Sequence, residues 1–500
     1  MIDNKVAIEG INYQTIEEIT FSKGVNEHGR ATIKCFTDKK ELKEIISAKD
    51  GLSWVCIKIG ESLEGAANKA IFSGIIETIA LENCESIEEM KRVIVTLVGP
   101  TYLLDIKKQT HVLQSDDTKL SAVKKHIKKD FGKLVKGTTL KINNGNNVND
   151  SEKPESELLV QYAETDYEFL RRVASMMNKP LISEVDSSGK PGVSLCIGLR
   201  EKAGGKIDSK IYRSEKNMLN ALIDKKLGVK NVVEKDYQTI EVRTREYFEL
   251  GSKVQIDGKS LYVYSVKSMY GVKKNSDKAD FVDLTDGFDY STYVFYHIYK
   301  LAEEKRFNAP RIYNGKMVGT SIGAKVVKVE KEKIKIKCDC NKEKSSNEKK
   351  FLFASVYTSK DGTGWYCMPE EKDKVRLYMP TEDEKDAYVI SSVHLEGGTD
   401  RDNPDVKFIR NKAKKEVRFE EKRLKITNND GMDIIIDDNK GITILSNKNV
   451  CISSKKDVTL LSKSGKMDLS GKKEVLLKQG GSSSVEFKNK VTFKAPNIKM

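Results

Sequence analysis

The C-terminal segment of the chain carries a short repeat that limits its fold more than any other feature. From Val417 onward, the chain contains pairs of apolar residues separated by one other residue. These pairs recur every eight residues, with one step of nine. Such alternation places both apolar side chains on one face of a β-strand. The pairs are Ile434/Ile436, Ile442/Ile444, Val450/Ile452, Val458/Leu460, Met467/Leu469 and Val475/Leu477. Because so short a unit cannot bury its own apolar face, the repeat predicts a stacked architecture.

The eight-residue step distinguishes between kinds of stacked architecture. Left-handed single-chain β-helices use hexapeptides and calcium-binding rolls use Gly/Asp-rich nonapeptides, and neither pattern occurs here. We therefore predict an intertwined triple-stranded β-helix, a prism in which three copies of the chain leave no open sheet edge. The alternative is a flat meander of short strands within one chain. The predicted trimer core consists of Ile434, Ile442, Ile444, Val450, Ile452, Val458, Leu460, Met467, Leu469, Val475 and Leu477.

Composition agrees with a strand-rich protein built from small modules. Of 500 residues, 38% are hydrophobic and 32% are charged, and no apolar run approaches the length of a membrane span. The first residues lack a basic-then-apolar leader pattern, so we expect synthesis in the cytoplasm without a signal peptide. The net charge of +14 comes from lysines dispersed among acidic residues, which favours a solvated surface over nucleic-acid binding.

The sequence predicts no catalytic, cofactor or metal site. Eight cysteines are scattered along the chain, and Cys338-x-Cys340 has a poor ligand spacing with no second Cys/His pair close by. Five histidines form no recognisable Ser/His/Asp or Cys/His set. We therefore expect a protein that is not an enzyme.

The remaining sequence is predicted to form mainly β modules with a few helices. A short helix is predicted at Lys39–Ala48, a two-residue hairpin turn at Asp257-Gly258, and a strand at Trp365–Cys367. Five or six short strands near that last segment suggest an OB-fold barrel. The predicted segments are a first tube-like β-barrel at 1–105, a helical and loop insertion at 106–190, a second β-barrel and connector at 191–307, the OB-fold barrel at 308–395, and a linker with the β-helix at 396–500.

The insertion contains two predicted helices. The second follows a strand at Leu158–Tyr162, and Thr165 and Glu168 form a capping-box pattern at its start. The other acidic residues there are interpreted as solvated charges rather than catalytic groups. The first helix is indicated by apolar residues at helical spacing, namely Leu120, Val123, Ile127 and Phe131.

The module order and several short motifs resemble one known family. The most specific motif is VQYAETDYEFLRRV at Val160–Val173, which fits the pattern Q-Y-x-E-T-D-x-x-F-L-x-R of VgrG spikes of type VI secretion systems. The chain thus resembles VgrG, and the hub and cell-puncturing spike of contractile phage tails, over nearly its whole length. Weaker local matches are NEHGRATI (Asn26–Ile33), IFSGII (Ile71–Ile76), GWYCMPEEKDKVRL (Gly364–Leu377) and NPDVKFI (Asn403–Ile409).

The resemblance implies a homotrimer whose paired barrels form a pseudo-sixfold ring under a hexameric inner tube, among baseplate proteins. Sheath contraction then drives the prism through a target cell envelope, so the protein would leave the cytoplasm within a tail-like particle. The resemblance also allows a PAAR-type cap and effector cargo at the tip. The residues expected to contact such a cap are Pro496, Asn497, Ile498 and Met500. With no lysozyme or toxin segment visible, we expect a structural spike whose cargo is a separate protein.

Two other functions stay open at the level of sequence. A trimeric β-helix tailspike that degrades polysaccharide needs two carboxylates about 5–10 Å apart in a cleft. The acidic residues of the repeat, among them Asp433, Asp437, Asp438 and Asp457, lie amid lysines and no pair is singled out. A passive adhesin would share the rod but not the barrels. The sequence does not distinguish a phage tail from a secretion system or bacteriocin-like particle, and it does not identify the target cell or an ion inside the prism.

Overall fold

The computed structural model describes residues 5–38, 52–60, 69–83, 90–154, 157–186, 190–202, 204–208, 211–227, 229, 232–271, 294–341, 348–392, 401–480, 483–487 and 490–497. Over these residues the fold is mainly β with a few helices, as predicted. The chain divides into two units, Met1–His394 and Leu395–Met500. The helix predicted at Lys39–Ala48 lies outside the described residues. None of the helices in the described ranges is both long and apolar enough to cross a membrane.

The N-terminal strands of the first unit form one half of a large antiparallel sheet. They are β1 (Lys5–Glu9), β2 (Thr15–Gly24), β3 (Arg30–Asp38), β4 (Trp54–Gly60), β5 (Lys69–Asn83) and β6 (Met90–Val98). Their order in the sheet is β1-β4-β5-β6-β3-β2. In β3, alternate residues Ala31, Ile33 and Cys35 are buried, because successive side chains of a strand point to opposite faces.

The next segment forms a helical layer with short strands. Its elements are β7 (Gln109–Gln114), α1 (Leu120–Leu134), β8 (Leu140–Asn144), β9 (Leu158–Glu164), α2 (Asp166–Met176), β10 (Leu181–Glu184) and β11 (Val193–Ile197). Strands β7 and β9 pair as an antiparallel ribbon, while β10, β11 and β8 form a separate sheet. One apolar cluster joins both helices to that sheet and buries the four residues of the predicted α1 stripe.

The middle of the chain completes the large sheet. Its elements are β12 (Ile211–Lys216), α3 (Met218–Lys226), β13 (Gln238–Thr244), β14 (Lys253–Ile256), β15 (Lys259–Gly271) and β16 (Val294–Ala302). Strand β15 pairs with β2, so strands from both predicted hub barrels lie in one continuous sheet. The hairpin β14–β15 turns at Asp257 and Gly258 as predicted, and their φ values of 46° and 73° are the left-handed values that a two-residue hairpin turn needs.

The last part of the first unit is a small barrel. Its strands are β17 (Thr320–Glu330), β18 (Lys333–Cys338), β19 (Lys350–Leu352), β20 (Lys374–Met379) and β21 (Tyr388–Ser392), in the order β19-β18-β17-β20-β21. A parallel bridge between Phe353 and Val389 brings the two edges together. The prediction of a strand at Trp365–Cys367 is wrong. This segment forms no strand and continues a loop that turns at Gly362 and Gly364, both with positive φ.

The second unit begins with a meander and ends with a small sheet. Strands β22 (Lys407–Arg410), β23 (Glu416–Glu420), β24 (Arg423–Thr427), β25 (Met432–Asp437) and β26 (Gly441–Ser446) pair in chain order. Strands β27 (Val475–Gln479), β28 (Ser483–Phe487) and β29 (Val491–Lys494) form the second sheet. Between them, residues 447–474 form no strand within the single chain.

Candidate functional site

The β7–β9 ribbon lies between the helical layer and the barrel. Leu159 packs into the cluster that contains α1 and α2. Its neighbours Leu158 and Val160, together with Val112 of β7, pack into the apolar core of the barrel. Strand alternation explains this division, since Leu159 faces the opposite side from Leu158 and Val160. The barrel core therefore includes residues from the insertion, and we call this contact region the joint.

Arg172 of α2 is buried at the joint with two carboxylates. Its guanidinium donates to Glu164 from Nε at 2.8 Å and from Nη2 at 2.9 Å, and to Glu384 from Nη1 at 2.5 Å. Nη2 also donates to the carbonyl oxygen of Val160 at 2.7 Å. The side chains of Arg172 and Glu384 are 1% and 0% exposed. Because Glu384 lies in a short helical turn between β20 and β21, this cluster ties the insertion to the barrel.

The charges of this cluster are uneven, since two carboxylates share one guanidinium. Burial alone would lower the pKa of Arg172, but the carboxylates of Glu384 and Glu164 outweigh it and raise that pKa. Burial raises the pKa of Glu164 even though Arg172 opposes the shift. A buried ion is tolerated only where opposite charge and hydrogen bonds replace its water. The joint thus depends on all three side chains together.

The family-like motif at Val160–Val173 contains Val160, Glu164 and Arg172 of the joint. Glu168 N donates to Thr165 Oγ1 at 3.1 Å and Thr165 N donates to Glu168 Oε2 at 2.9 Å, which confirms the predicted capping box. Gln161 Nε2 donates to Asp166 Oδ1 at 3.0 Å in the interior. The interpretation of the remaining acidic residues as solvated is wrong for Glu164 and Asp166, because both are buried and hydrogen-bonded.

Side-chain amides complete the joint on the other edge of β7. Asn341 Oδ1 accepts from Val112 N at 3.0 Å, and Asn341 Nδ2 donates to the carbonyl oxygen of Val112. Gln114 Nε2 donates to the carbonyl oxygen of Ile336 at 3.2 Å, and its Oε1 accepts from Lys349 N at 3.1 Å. Strand β7 is therefore hydrogen-bonded to β9 on one edge and to the barrel on the other.

No role is predicted from the sequence for Arg172 or Glu384, although Arg172 is the final arginine of the VgrG-like motif. A signal for Arg172 was available, since it lies three residues after Phe169 and four before Met176 and so shares their apolar helix face. The sequence offers no such signal for Glu384, whose partner is 212 residues away.

Except for the half-buried Val475, the residues predicted to form the trimer core are exposed in the single chain. Ile434 pairs with Ile444, and Ile436 with Ile442, so the four isoleucines share one face of the β25–β26 hairpin. Their exposed fractions run from 43% to 72%. An apolar sheet face of this kind is a candidate interface.

The next three apolar pairs lie in the strandless segment 447–474. The exposed fractions of Val450, Ile452, Val458, Leu460, Met467 and Leu469 run from 48% to 72%. Val475 and Leu477 lie on β27, where Val475 is half-buried and Leu477 is exposed. Pro496 and Asn497 are exposed, and the other residues expected to contact a cap, Ile498 and Met500, lie outside the described part of the chain.

The sequence matches no family model, and no curated protein matches it. Among solved structures the chain is similar to the E. coli protein c3393, with 14% identity and a TM-score of 0.52 over 78% of this chain and 100% of that one. That protein is described as a component of the type VI secretion system with structural similarity to the T4 bacteriophage tail proteins gp27 and gp5.

The chain is also similar to chains of the Francisella PdpA–VgrG complex. In its half-lidded form the identity is 10% and the TM-score 0.53, over 88% of each chain. In its lidded form the identity is 12% and the TM-score 0.54, over 86% of this chain and 76% of that one. The fold is thus that of hub-and-spike proteins of contractile machines. More particularly, it is the fold of VgrG-like proteins, as the sequence motifs indicate.

Proposed function

We propose that this chain is the structural hub and spike of a contractile injection machine, and that it acts as a homotrimer rather than as an enzyme. The observation that carries the proposal is the C-terminal repeat. Its apolar pairs recur at a fixed step, yet Val450, Ile452, Val458 and Leu460 are each at least 54% exposed in the single chain. Two further copies of the chain could cover these exposed side chains, because each copy carries the same repeat in the same register.

Trimer formation would give the repeat two things that the single chain lacks, namely strand partners for its backbone and burial for its apolar side chains. Strands from the other two chains would pair with the backbone of residues 447–474, since extended backbone needs partners for its N–H and C=O groups. Each step would bury two apolar side chains per chain, worth about 1.5–3 kcal/mol each before conformational entropy is subtracted. A stack of such steps, closed on itself, would give a stiff needle.

The first unit would serve as the hub. Its large sheet would form part of a ring below the hexameric inner tube, among baseplate proteins. The joint would then hold the barrel rigidly on the hub while contraction pushes the needle through an envelope. Support comes from the buried cluster of Arg172, Glu164 and Glu384 and from the shared apolar core, which resist shear between the insertion and the barrel.

The remaining parts of the proposal rest on the likeness to VgrG-type proteins. We propose that the protein is made in the cytoplasm, is assembled into a tail-like particle, and reaches the extracellular space or a target cell. A VgrG-type chain stands in complex with a second protein, PdpA, in the Francisella structures. By analogy, a PAAR-type cap or effector cargo would bind near Pro496 and Asn497.

The test is the oligomeric state of a purified core variant. Val450→Asp with Ile452→Asp places two charges on the inward face of one step, and we expect it to convert a trimer into monomers in sedimentation or light scattering. The matched control is Cys451→Asp with Ser453→Asp, which places the same charges one residue along, on the outward face. A monomeric parent, or a core variant that stays trimeric, would overturn the proposal.

A further inference from the structure

Strand β7 and helix α1 bring two histidines and an aspartate together between the ribbon and the helical layer. His126 and Asp130 lie one turn apart on α1, and His111 of β7 faces them. Nε2 of His111 is 3.1 Å from Asp130 Oδ2, and Nε2 of His126 is 3.7 Å from the same oxygen. The two imidazole rings meet edge to face, with centroids 4.5 Å apart. The three potential ligand atoms all lie within 4.8 Å of one another.

Two atoms of this cluster are buried without a hydrogen bond. By hydrogen-bond geometry neither His126 Nε2 nor Asp130 Oδ2 has a partner among the described residues, although Gln161, whose Oε1 is likewise unpaired, lies close enough to His126 to raise its pKa. The Asp130 side chain is only 8% exposed, whereas those of His111 and His126 are 23% and 17% exposed, so solvent reaches the cluster at the histidines and hardly at Asp130. An unsatisfied buried polar atom costs about 1–3 kcal/mol and calls for an explanation such as an ion.

We propose that His111, His126 and Asp130 bind one transition-metal ion of the zinc class, with solvent as the fourth ligand. Two imidazoles and a carboxylate are a donor set that zinc uses. Ligand atoms about 2.0–2.2 Å from a tetrahedral ion are roughly 3.3–3.5 Å apart. The two distances to Asp130, 3.1 Å and 3.7 Å, fall on either side of that spacing.

One of the two carboxylate oxygens of Asp130 is hydrogen-bonded to Lys133, and the other is available to an ion. Lys133 Nζ donates to Asp130 Oδ1 at 2.6 Å, so Oδ2 is the oxygen that faces the imidazoles. Burial lowers the pKa of His111 to about 4 and also lowers that of His126, and metal binding requires neutral imidazoles. The positive charges of Lys107, Lys129 and Lys133 act on the two histidines and oppose a cation.

The ion would act as a structural staple rather than a reaction centre. His111 is adjacent in β7 to Val112, which packs into the barrel core and is hydrogen-bonded to Asn341 of the barrel. A metal that joins β7 to α1 would therefore fix the ribbon between the helical layer and the barrel. The metal would be bound by the free chain, and this inference does not depend on injection or on trimer formation.

The test measures binding of Zn²⁺ itself to the full-length chain after treatment with a chelator. We expect one Zn²⁺ per chain by calorimetry, and tetrahedral d–d absorption when Co²⁺ replaces it. His126→Gln should weaken Zn²⁺ binding at least tenfold. A background with Cys367→Ser and Cys451→Ser removes the exposed thiols of the described residues as competing ligands.

Two further variants serve as a matched control and as a substitute for His126→Gln. His28→Gln is the matched control, because His28 also contacts one carboxylate, with its Nε2 2.8 Å from Asp105 Oδ2, and the described residues place no second histidine there. It should bind Zn²⁺ like the parent. If His126→Gln does not fold, His111→Gln, at a half-buried strand position, gives the same comparison. A parent that takes up no Zn²⁺, or histidine variants that bind it as tightly as the parent, would overturn the proposal.

Discussion

Arg172 of helix α2 and Glu384 of the barrel are joined at 2.5 Å although neither side chain reaches solvent. They come from segments separated by 212 residues, so the contact forms only when the insertion and the barrel dock. A charge buried at such a contact does not favour folding simply by being paired, because both ions lose their water. We expect its main consequence to be specificity, because the Arg172 guanidinium reaches both Glu164 and Glu384 only when the two modules dock in this arrangement.

Removing one partner of this pair should be costly. Glu384→Ala leaves Arg172 with only Glu164, and we expect the free energy of unfolding to fall by about 3–5 kcal/mol, measured by urea denaturation. The matched control is Glu382→Ala, two residues earlier and exposed, which should change stability by less than about 0.5 kcal/mol.

A second prediction compares the stability of Glu384→Ala with that of a variant in which the whole charged cluster is replaced. Replacing Arg172, Glu164 and Glu384 together by Met, Gln and Leu removes every buried charge of the cluster. We expect this triple variant to be more stable than Glu384→Ala, since buried ionic clusters can be exchanged for apolar residues at little cost. A triple variant less stable than Glu384→Ala would show that the geometry of the cluster, rather than an uncompensated charge, sets the stability.

Local features of this fold could be predicted from the sequence. The burial of Ala31, Ile33 and Cys35 follows from period-two alternation, and the turn at Asp257-Gly258 follows from backbone preference. These features depend on neighbouring residues only. The apolar stripe of α1 and the capping box of α2 were predictable for the same reason.

Features that join distant segments could not be predicted. The pairing of β2 with β15 places both predicted barrels in one sheet, and no local pattern specifies which strand edges meet. Glu164 and Asp166 read as exposed acids in the sequence although their partners Arg172 and Gln161 lie only eight and five residues away, because a further member of the cluster, Glu384, is 212 residues from Arg172. The repeat at Val450 and Val458 predicts strands, but within one chain these residues have no strand to pair with.

Thr165 should account for a measurable part of the stability of the joint. Thr165→Ala removes the side-chain acceptor for Glu168 N and the donor to Asp105, so we expect a loss of about 1–2 kcal/mol in the free energy of unfolding. Thr165→Ser keeps the hydroxyl and should restore most of the loss. If Ser behaves like Ala, the methyl group rather than the cap is responsible.

His297 should make stability depend on pH. Its ring is buried among aromatic residues, with Nδ1 2.7 Å from Ser268 Oγ, and burial, together with the charge of Lys23, lowers its pKa to about 3. Between pH 6.5 and 3 the unfolded chain therefore binds a proton that the folded chain does not. Stability is then lost as pH falls through this window, by about 1.4 kcal/mol per pH unit well below 6.5.

The test compares the parent with His297→Gln, which keeps an acceptor for Ser268. Other histidines titrate in both proteins, so their contribution cancels in the difference. From pH 6.5 to pH 5 we expect the parent to lose about 1.6 kcal/mol more in unfolding free energy than the variant. Equal losses in urea titrations at the two pH values would mean that His297 titrates normally in the folded protein.

Thiol reactivity can locate the inward face of the repeat residue by residue. Cys451 stands between Val450 and Ile452 and is exposed in the single chain. In the proposed prism it points outward, so it should react quickly with a maleimide in the native protein. The thiol introduced by Ile452→Cys, with Cys451→Ser and Cys367→Ser, should react at least tenfold more slowly, because alternate strand residues face opposite sides.

The comparison of the two thiols separates packing from chain mobility. In denaturant both should react at the same rate, since neither then lies on a strand. In the native protein a mobile, unpacked repeat would give equal rates at both positions, and the apolar pairs would then have no common inward side. Slow reaction at position 452 with fast reaction at Cys451 requires strand alternation, and strands in this segment need partners from other chains because the single chain supplies none there.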